Sequence, residues 1–323
     1  MKGLFQYCFY NYEAVSQMRN VSRQPDMSHS EWTDNLLSLI EHRMFELLAP
    51  EISDSRFSNL ENIHSNVIQA AVYHLQTGGQ RMRVKLCVHA GLSVGLSKEN
   101  IICLAAACEL IHNASLIHDD IQDRDEFRRG KKTVWAVYGQ NVAICTGDLF
   151  LSAAYLSISS FDRPEFIGKL IQKVHQRIAL VINGQSADIA LKDKLLKDIE
   201  LYEQVVIAKS GALIGLPLEL CLISAQMTEW LPKTASVVEP FSIGYQIFDD
   251  LKDLKDDTAS DSKQRSLNAI LVLEQLHDCE DPIKMARQLA RKKFKQAAIN
   301  ANSLPNNLGH QFAELALYMA DQV

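Results

Sequence analysis

Glycine and proline are scarce. Fourteen and eight of them in 323 residues come to about 7%, against a usual share of roughly 12%, too few turn-formers for a many-stranded sandwich, barrel or propeller. Helices become the expectation. Lysine and arginine number 33 against 39 aspartates and glutamates, a net charge of −6, and nowhere do they gather into a basic block. That excludes the electrostatic footprint of a nucleic-acid binder. The seven cysteines (Cys8, Cys87, Cys103, Cys108, Cys145, Cys221, Cys279) are odd in number, scattered, and contain no C-x-x-C pair, so they read as small core residues in a reducing compartment. The N-terminus has no uninterrupted apolar run of the signal-peptide kind. The longest apolar stretch, 211–225, is broken by Pro217 and Glu219, so no membrane span is expected. A soluble, cytoplasmic protein is the expectation.

What is present is helical periodicity. Leu36, Leu37, Ile40, Met44 and Leu47 recur at three- and four-residue steps, as do Ile63, Val67, Ala70, Ala71 and Leu75. Similar faces run through 82–95, 98–118, 142–159, 164–186, 199–225, 236–255, 266–276, 282–301 and 306–322. The few breakers (Pro50, Gly78-Gly79, Gly130, Pro164, Pro232, Pro282, Pro305) punctuate short connections. This predicts one all-α bundle of ten or more helices over 31–323, preceded by an aperiodic arm at 1–30. Stretches 101–118 and 205–225 are apolar nearly all round, which places them inside the bundle, where such a pair can enclose an elongated cavity.

Acid residues are concentrated. Segments 119–126 and 249–257 hold ten of the 39 carboxylates in 17 residues, and each contains D-D-x-x-D. Composition alone predicts roughly 0.09 copies of that pattern, so two are not accidental. An acidic helix end is ordinarily just solvated. Here Asp119 and Asp123, and again Asp249 and Asp253, are four apart and project from one helix face. Two carboxylates about 4 Å apart repel by about 4 kcal/mol at an effective dielectric near 20. Such pairs call for cations, and oxygen-only donors suit Mg²⁺, which is commonly shared between carboxylates and a substrate phosphate. Nearby stand Arg128-Arg129-Gly130, Arg81 and Arg83 after the Gly78-Gly79 turn, and Lys209, alone in an apolar stretch. Taken singly these are an ordinary solvated pair, a helix cap and a snorkelling lysine. Beside the acids they form a set suited to diphosphate.

At these residues the sequence resembles the trans-isoprenyl diphosphate synthases, the polyprenyl synthetase family, over roughly residues 60–275. The first aspartate motif is matched by 112–123 with Arg128-Arg129-Gly130 after it, and the second by 244–253. Gly184-Gln185-Ser186-Ala187-Asp188 and Lys209-Ser210-Gly211-Ala212 lie between them, and Gly78-Gly79-Gln80-Arg81-Met82-Arg83 lies ahead. The resemblance implies a prenyltransferase that joins isopentenyl diphosphate head-to-tail to an allylic diphosphate held by three Mg²⁺. It assigns the metals to Asp119, Asp120, Asp123, Asp249, Asp250 and Asp253. Arg128, Lys209, Gln246 and Lys263 fall to the allylic diphosphate, and Gly79, Gln80, Arg83, His112 and Arg129 to isopentenyl diphosphate. Ser210 and Gln246 offer neutral oxygens to the transient cation.

Three positions depart from the family pattern. Gln80 stands where lysine is usual, Val84 where proline is usual, and segment 258–265 is short, with Lys263 and Arg265 in place of a glycine-bearing loop. In such enzymes the side chains before the first aspartates set product length. Here Ser115, Ala114, Ile111, Cys108 and Ala107 include no aromatic, which predicts C20 or longer unless Phe150 or Tyr155 closes the floor. Two alternatives are a class I terpene cyclase and a non-catalytic regulatory subunit. The cyclase pattern begins at Asp256-Asp257-Thr258-Ala259-Ser260 but fails at Gln264, and a regulatory paralogue normally loses one aspartate cluster. Because the apolar helices exceed what one bundle should bury, a homodimer is expected.

Overall fold

The computed structural model describes residues 29–49, 66–192, 194, 196–256, 267–276 and 280–323, without the side chains of 29–34 and 253–256. The chain divides into two compact units between Leu36 and Leu37. Of the first, residues 29–36 are described, the opening of helix α1 (His29–Leu48). The second, 37–323, carries the rest: α2 (Asn66–Gln76), α3 (Met82–Ser93), α4 (Lys98–Asp123), a β1 (Phe127–Arg128) and β2 (Lys131–Lys132) hairpin, α5 (Val134–Tyr138), α6 (Gln140–Ser159), α7 (Pro164–Leu191), α8 (Ile199–Val206), a π-helical segment Ile207–Gly211, α9 (Ala212–Ser224), α10 (Leu231–Asp256), α11 (Ala269–Glu274), α12 (Pro282–Asn302) and α13 (His310–Gln322). The all-α bundle is as expected.

Local chemistry sets the helix starts. Ser97 accepts from Asn100 N–H at the head of α4, Asp198 from Glu200 N–H on α8, and Asp281 from Lys284 N–H on α12, while Pro164 and Pro282 open α7 and α12. Helices α4 and α9 form the interior, as their all-round apolarity requires. All thirteen residues of α9 are buried. Its one acid, Glu219, receives Arg177 Nε at 2.6 Å and a second, shorter bond from Arg177 Nη2, with Lys173 3.7 Å away on the same helix α7. A carboxylate so deep is tolerated only when paired in this way.

Two expectations change. Three runs, Lys98–Asp123, Gln140–Ser159 and Ile199–Ser224, are after all long and apolar enough to cross a membrane. Pro217 and Glu219 do not disqualify the last of them, because the leucines and isoleucines of α9 outweigh one proline and one acid. Of the three windows 72%, 44% and 78% lies buried inside the protein, so much of this apolar surface is satisfied by packing. Also unanticipated was the hairpin, paired Phe127 to Lys132 and Arg128 to Lys131. Its two-residue turn has Arg129 at φ 53° and Gly130 at φ 74°, the type I′ geometry that matches strand twist.

Candidate active site

The first aspartate motif occupies the last turn of α4, where the helix dipole already presents negative charge and no basic residue offsets it. Cations arrive from other elements. The hairpin returns Arg128 to Asp120, whose Oδ1 accepts from Nη2 at 2.6 Å and Nε at 2.7 Å. Asp120 Oδ2 is buried with no protein partner. From the end of α7, Lys192 donates to Asp123 Oδ1 at 2.5 Å. Asp119 is half-buried. Burial pushes its carboxyl up to about 6 against the pull of Lys209, and Asp123 pushes in the same direction as burial. Burial also raises Asp120, opposed by Arg128.

Lys209 sits in the π-helical segment, a form common where a site interrupts a helix. Its Nζ donates to Asp188 Oδ2 at 2.6 Å. Burial works against the ammonium, but Asp188 and Asp119 hold its pKa above the ordinary value. Gly184 permits this placement: a Cβ there would lie 2.5 Å from Lys209 N and 2.8 Å from Ala208 C, a clash with backbone. In the same α7 stretch Gln185 Nε2 donates to Gln122 Oε1 at 2.9 Å. The Gly184–Asp188 and Lys209–Ala212 motifs are thus one packed unit beside Asp119.

The second motif ends α10. Asp249 has 40% of its side chain exposed, with Lys252 Nζ 4.0 Å away. Asp250, one residue on, is 3% exposed. Its Oδ2 accepts from Tyr202 Oη and from Ala269 N–H, both at 2.8 Å, and its Oδ1 from Gln246 Nε2 at 3.0 Å. The side chain of Asp253 and all of Lys263 lie outside the described residues.

Beyond the turn that closes α2, a cationic pocket forms. Gly78 adopts φ 79°, and its carbonyl accepts from Arg129 Nη1. A Cβ on Gly79 would stand 2.7 Å from the same Nη1, so the guanidinium lies against bare backbone. Arg81 serves the fold, donating to Glu41, Glu109 and the Leu75 carbonyl. Arg83 points inward with Nε buried and unpartnered. His112 is held neutral by burial and by Arg83, Arg129 and Arg128, its pKa well below the ordinary value. His74 is pushed down to about 3 by burial, then by Arg129 and Arg128. Gln80 is exposed at the rim. Guanidinium groups beside two uncharged imidazoles make a pocket for an anion. Burial and Asp249 raise the Tyr245 phenol while Arg83 and Arg129 lower it, so this side chain lies between the second acidic motif and the pocket.

Sequence reasoning missed His74, Lys192 and Tyr202, and it gave no role to Asp188 and Tyr245, which lie inside matched motifs. His74, one helical turn before Gly78, was discoverable from spacing. Asp188, Lys192 and Tyr202 act through contacts far apart in the chain. At the floor, Ala114, Ile111, Cys108 and Ala107 are buried, and Ser115 Oγ is spent on the His112 carbonyl at 2.8 Å. Phe150 packs edge-on against His74, ring centroids 5.7 Å apart.

The polyprenyl synthetase family profile matches residues 64–301. The chain belongs to the polyprenyl synthetase family. Among curated members it is 32% identical over 188 residues to the geranylgeranyl pyrophosphate synthase of Geoglobus acetivorans, covering 58% of this chain and 59% of that protein. It is 29% identical over 255 residues to the farnesyl diphosphate synthase of Escherichia coli K12, covering 76% and 83%. The match thus spans about three-fifths of the Geoglobus protein's length. The solved geranylgeranyl pyrophosphate synthetase of Pyrococcus horikoshii Ot3 superposes with a TM-score of 0.74 at 24% identity, over 91% of this chain and 99% of that one. A decaprenyl diphosphate synthase from Rhodobacter capsulatus gives 0.74 at 19%, over 91% and 98%. At these identities the structural likeness establishes the all-α isoprenoid synthase fold that polyprenyl synthetases share.

Proposed function

We propose that the protein is a magnesium-dependent trans-prenyltransferase that condenses isopentenyl diphosphate with an allylic diphosphate. The observation that carries this reading is two separate charged clusters suited to anions: the acidic ends of α4 and α10 with Lys209, and the arginine–histidine group behind Gly79. A terpene cyclase ionises one diphosphate and has no use for the second pocket. Neither the cyclase nor the regulatory-subunit reading has an observation of its own in its favour.

Among the described residues no three carboxylates, histidines or cysteines are gathered closely enough to grip a metal unaided. The donor chemistry nevertheless fits magnesium. Asp120 Oδ2 is an orphaned buried oxygen, burial raises the Asp119 carboxyl above its ordinary range, which a cation would offset, and the donors are all oxygens. Asp119, Asp120, Asp123 and Asp249 would hold it, three ions being the family expectation. Magnesium would supply Lewis-acid neutralisation of a leaving diphosphate. The chain's own groups do the rest. Lys209 and Arg128 orient the allylic diphosphate, and the C1–O pair leaves with it. The isopentenyl double bond, positioned by Arg83, Arg129 and His112, attacks the allylic carbon, and a proton is then lost. Ser210 Oγ and Gln246 Oε1 face the transient positive charge with neutral oxygens.

Binding tests this arrangement directly. A non-reactive isopentenyl diphosphate analogue and inorganic diphosphate with Mg²⁺ should bind together, each leaving the other's Kd unchanged. Mutual exclusion would reduce the two sites to one and defeat the reading.

Gln80 leaves the pocket rim one charge short of the usual family pattern. Gln80→Lys should lower KM for isopentenyl diphosphate about 3–10-fold, the worth of one partly exposed charge-assisted contact. An unchanged KM in steady-state kinetics would remove Gln80 from the pocket. Product length is proposed as C20 or longer, since small side chains line α4 and Phe150 is committed to His74. Ser115→Phe should shift the product to C15, as read by mass spectrometry. The same product distribution from both proteins would show that α4 does not set the floor.

We propose a homodimer as well. Val137, Ile144 and Leu156 of α5 and α6 are 45%, 42% and 48% exposed, apolar surface that a second copy would cover. Sedimentation should give twice 36.3 kDa, and a species at 36.3 kDa would exclude the dimer. The buried free thiols Cys87, Cys103, Cys108 and Cys221 support the proposal of a reducing, cytoplasmic setting.

A further inference from the structure

Consecutive residues on an α-helix point about 100° apart, so the two leading acids of a D-D-x-x-D motif cannot share one face. In each motif the division is visible. Asp119 and Asp249 are partly open, whereas Asp120 and Asp250 are 1% and 3% exposed and engaged with protein donors. Asp120 keeps one unpartnered oxygen. Asp250 does not: Tyr202 Oη and Ala269 N–H converge on Oδ2, and Gln246 Nε2 meets Oδ1.

The contact with Gln246 has a directional consequence. Gln246 donates through its NH₂ to Asp250 Oδ1, so its carbonyl oxygen is turned the other way. Gln246 lies one helical turn before Asp250 and is half-exposed. One turn earlier again, Ser242 Oγ is 2.9 Å from where a Cβ on Gly211 would be, so this face of α10 runs along the π-helical segment that carries Lys209 and Ser210. Tyr202 belongs to α8 and is fully buried. Burial, then Asp250, holds its phenol well above its usual pKa, so it remains a donor. Ala269 is the first residue of α11, which Asn268 caps. Three helices thus meet at one carboxylate.

We propose that Asp250, clamped by Tyr202, is a positioning residue: it fixes the flip of the Gln246 amide so that oxygen rather than NH₂ faces the reacting allylic group, and it does not ligate metal. The proposal rests on the prenyl-transfer reading for what Gln246 faces, but the clamp itself is a property of the free protein.

The test exploits the amide's asymmetry. In Asp250→Asn the new oxygen still accepts from Tyr202 and Ala269, and the new NH₂ forces the Gln246 amide to turn over. Turnover should fall about 30–100-fold, KM for both diphosphates should stay within about 3-fold, and the Mg²⁺ concentration for half-maximal rate should stay within about 2-fold. Adding Gln246→Glu to that variant returns an oxygen to the site and should recover at least about 10-fold in kcat. A purely structural role for Asp250 would show no such rescue. A rise of about 10-fold or more in the Mg²⁺ requirement, or a double variant no faster than the single, overturns the proposal. Tyr202→Phe removes one donor and keeps the ring. It should cost about 3–10-fold in kcat with KM held, and it carries the same test if Asp250→Asn does not fold. No change in kcat there also overturns the proposal. In ligand-free protein the Gln246 side-chain amide resonance should move in Asp250→Asn. That measurement needs no product, so failure of the clamp is distinguishable from failure of the prenyl-transfer reading; an unmoved resonance rejects the clamp.

Discussion

Asp119→Asn should abolish most turnover while leaving the protein as stable as before, or more so. The half-buried carboxyl is pushed up to about 6 by burial, and Asp123, four residues on, repels it. An amide of the same shape removes both penalties. The charge that would help hold a cation is lost with them. Removing one preorganised charge of this kind costs about 10²–10³-fold in kcat, equivalent to about 3–4 kcal/mol. The paired outcome is the informative part, because groups selected for function are often held at a cost to the fold. Thermal melting and steady-state kinetics on the same preparation check it. A melting temperature that falls together with activity would make Asp119 a structural residue.

Arg129→Asn separates the hairpin from the pocket. Arg129 has positive φ in a type I′ turn followed by Gly130, and Asn-Gly is the preferred pair for that geometry. The substitution therefore keeps the turn and deletes only the guanidinium that lies on Gly79. KM for isopentenyl diphosphate should rise about 10–100-fold, the worth of about 1.5–3 kcal/mol for a hydrogen bond to a charged group. KM for the allylic substrate and the melting temperature should hold. Equal increases in both KM values would mean that the hairpin serves the acidic site alone.

The sequence made helices legible because helical period and burial are the same fact read twice. Stretches 101–118 and 205–225 lack a polar face, and they form the buried helices α4 and α9. The i,i+4 spacing of Asp119 and Asp123 placed them on one face of the last turn of α4 without any tertiary information. Two other features were beyond such local logic. The hairpin at 127–132 carries Arg-Gly rather than Asn-Gly or Asp-Gly and has only two residues per strand, too short for an alternating pattern. The environment of Asp250 was hidden for a different reason. Tyr202 and Ala269 lie 48 and 19 residues from it in the chain, and no spacing rule distinguishes a carboxylate that meets solvent from one that meets a phenol. Gly184 is an intermediate case. A glycine inside a helical pattern signals close approach, but only the fold reveals that the approaching backbone is that of Ala208 and Lys209.

Product formation by purified protein is the most direct measurement. With Mg²⁺, isopentenyl diphosphate and a C5, C10 or C15 allylic diphosphate, mass spectrometry should find prenyl diphosphates longer by whole C5 units, and none when either substrate or the metal is withheld. A cyclised hydrocarbon formed from the allylic substrate alone, or no product from any primer, would contradict the account.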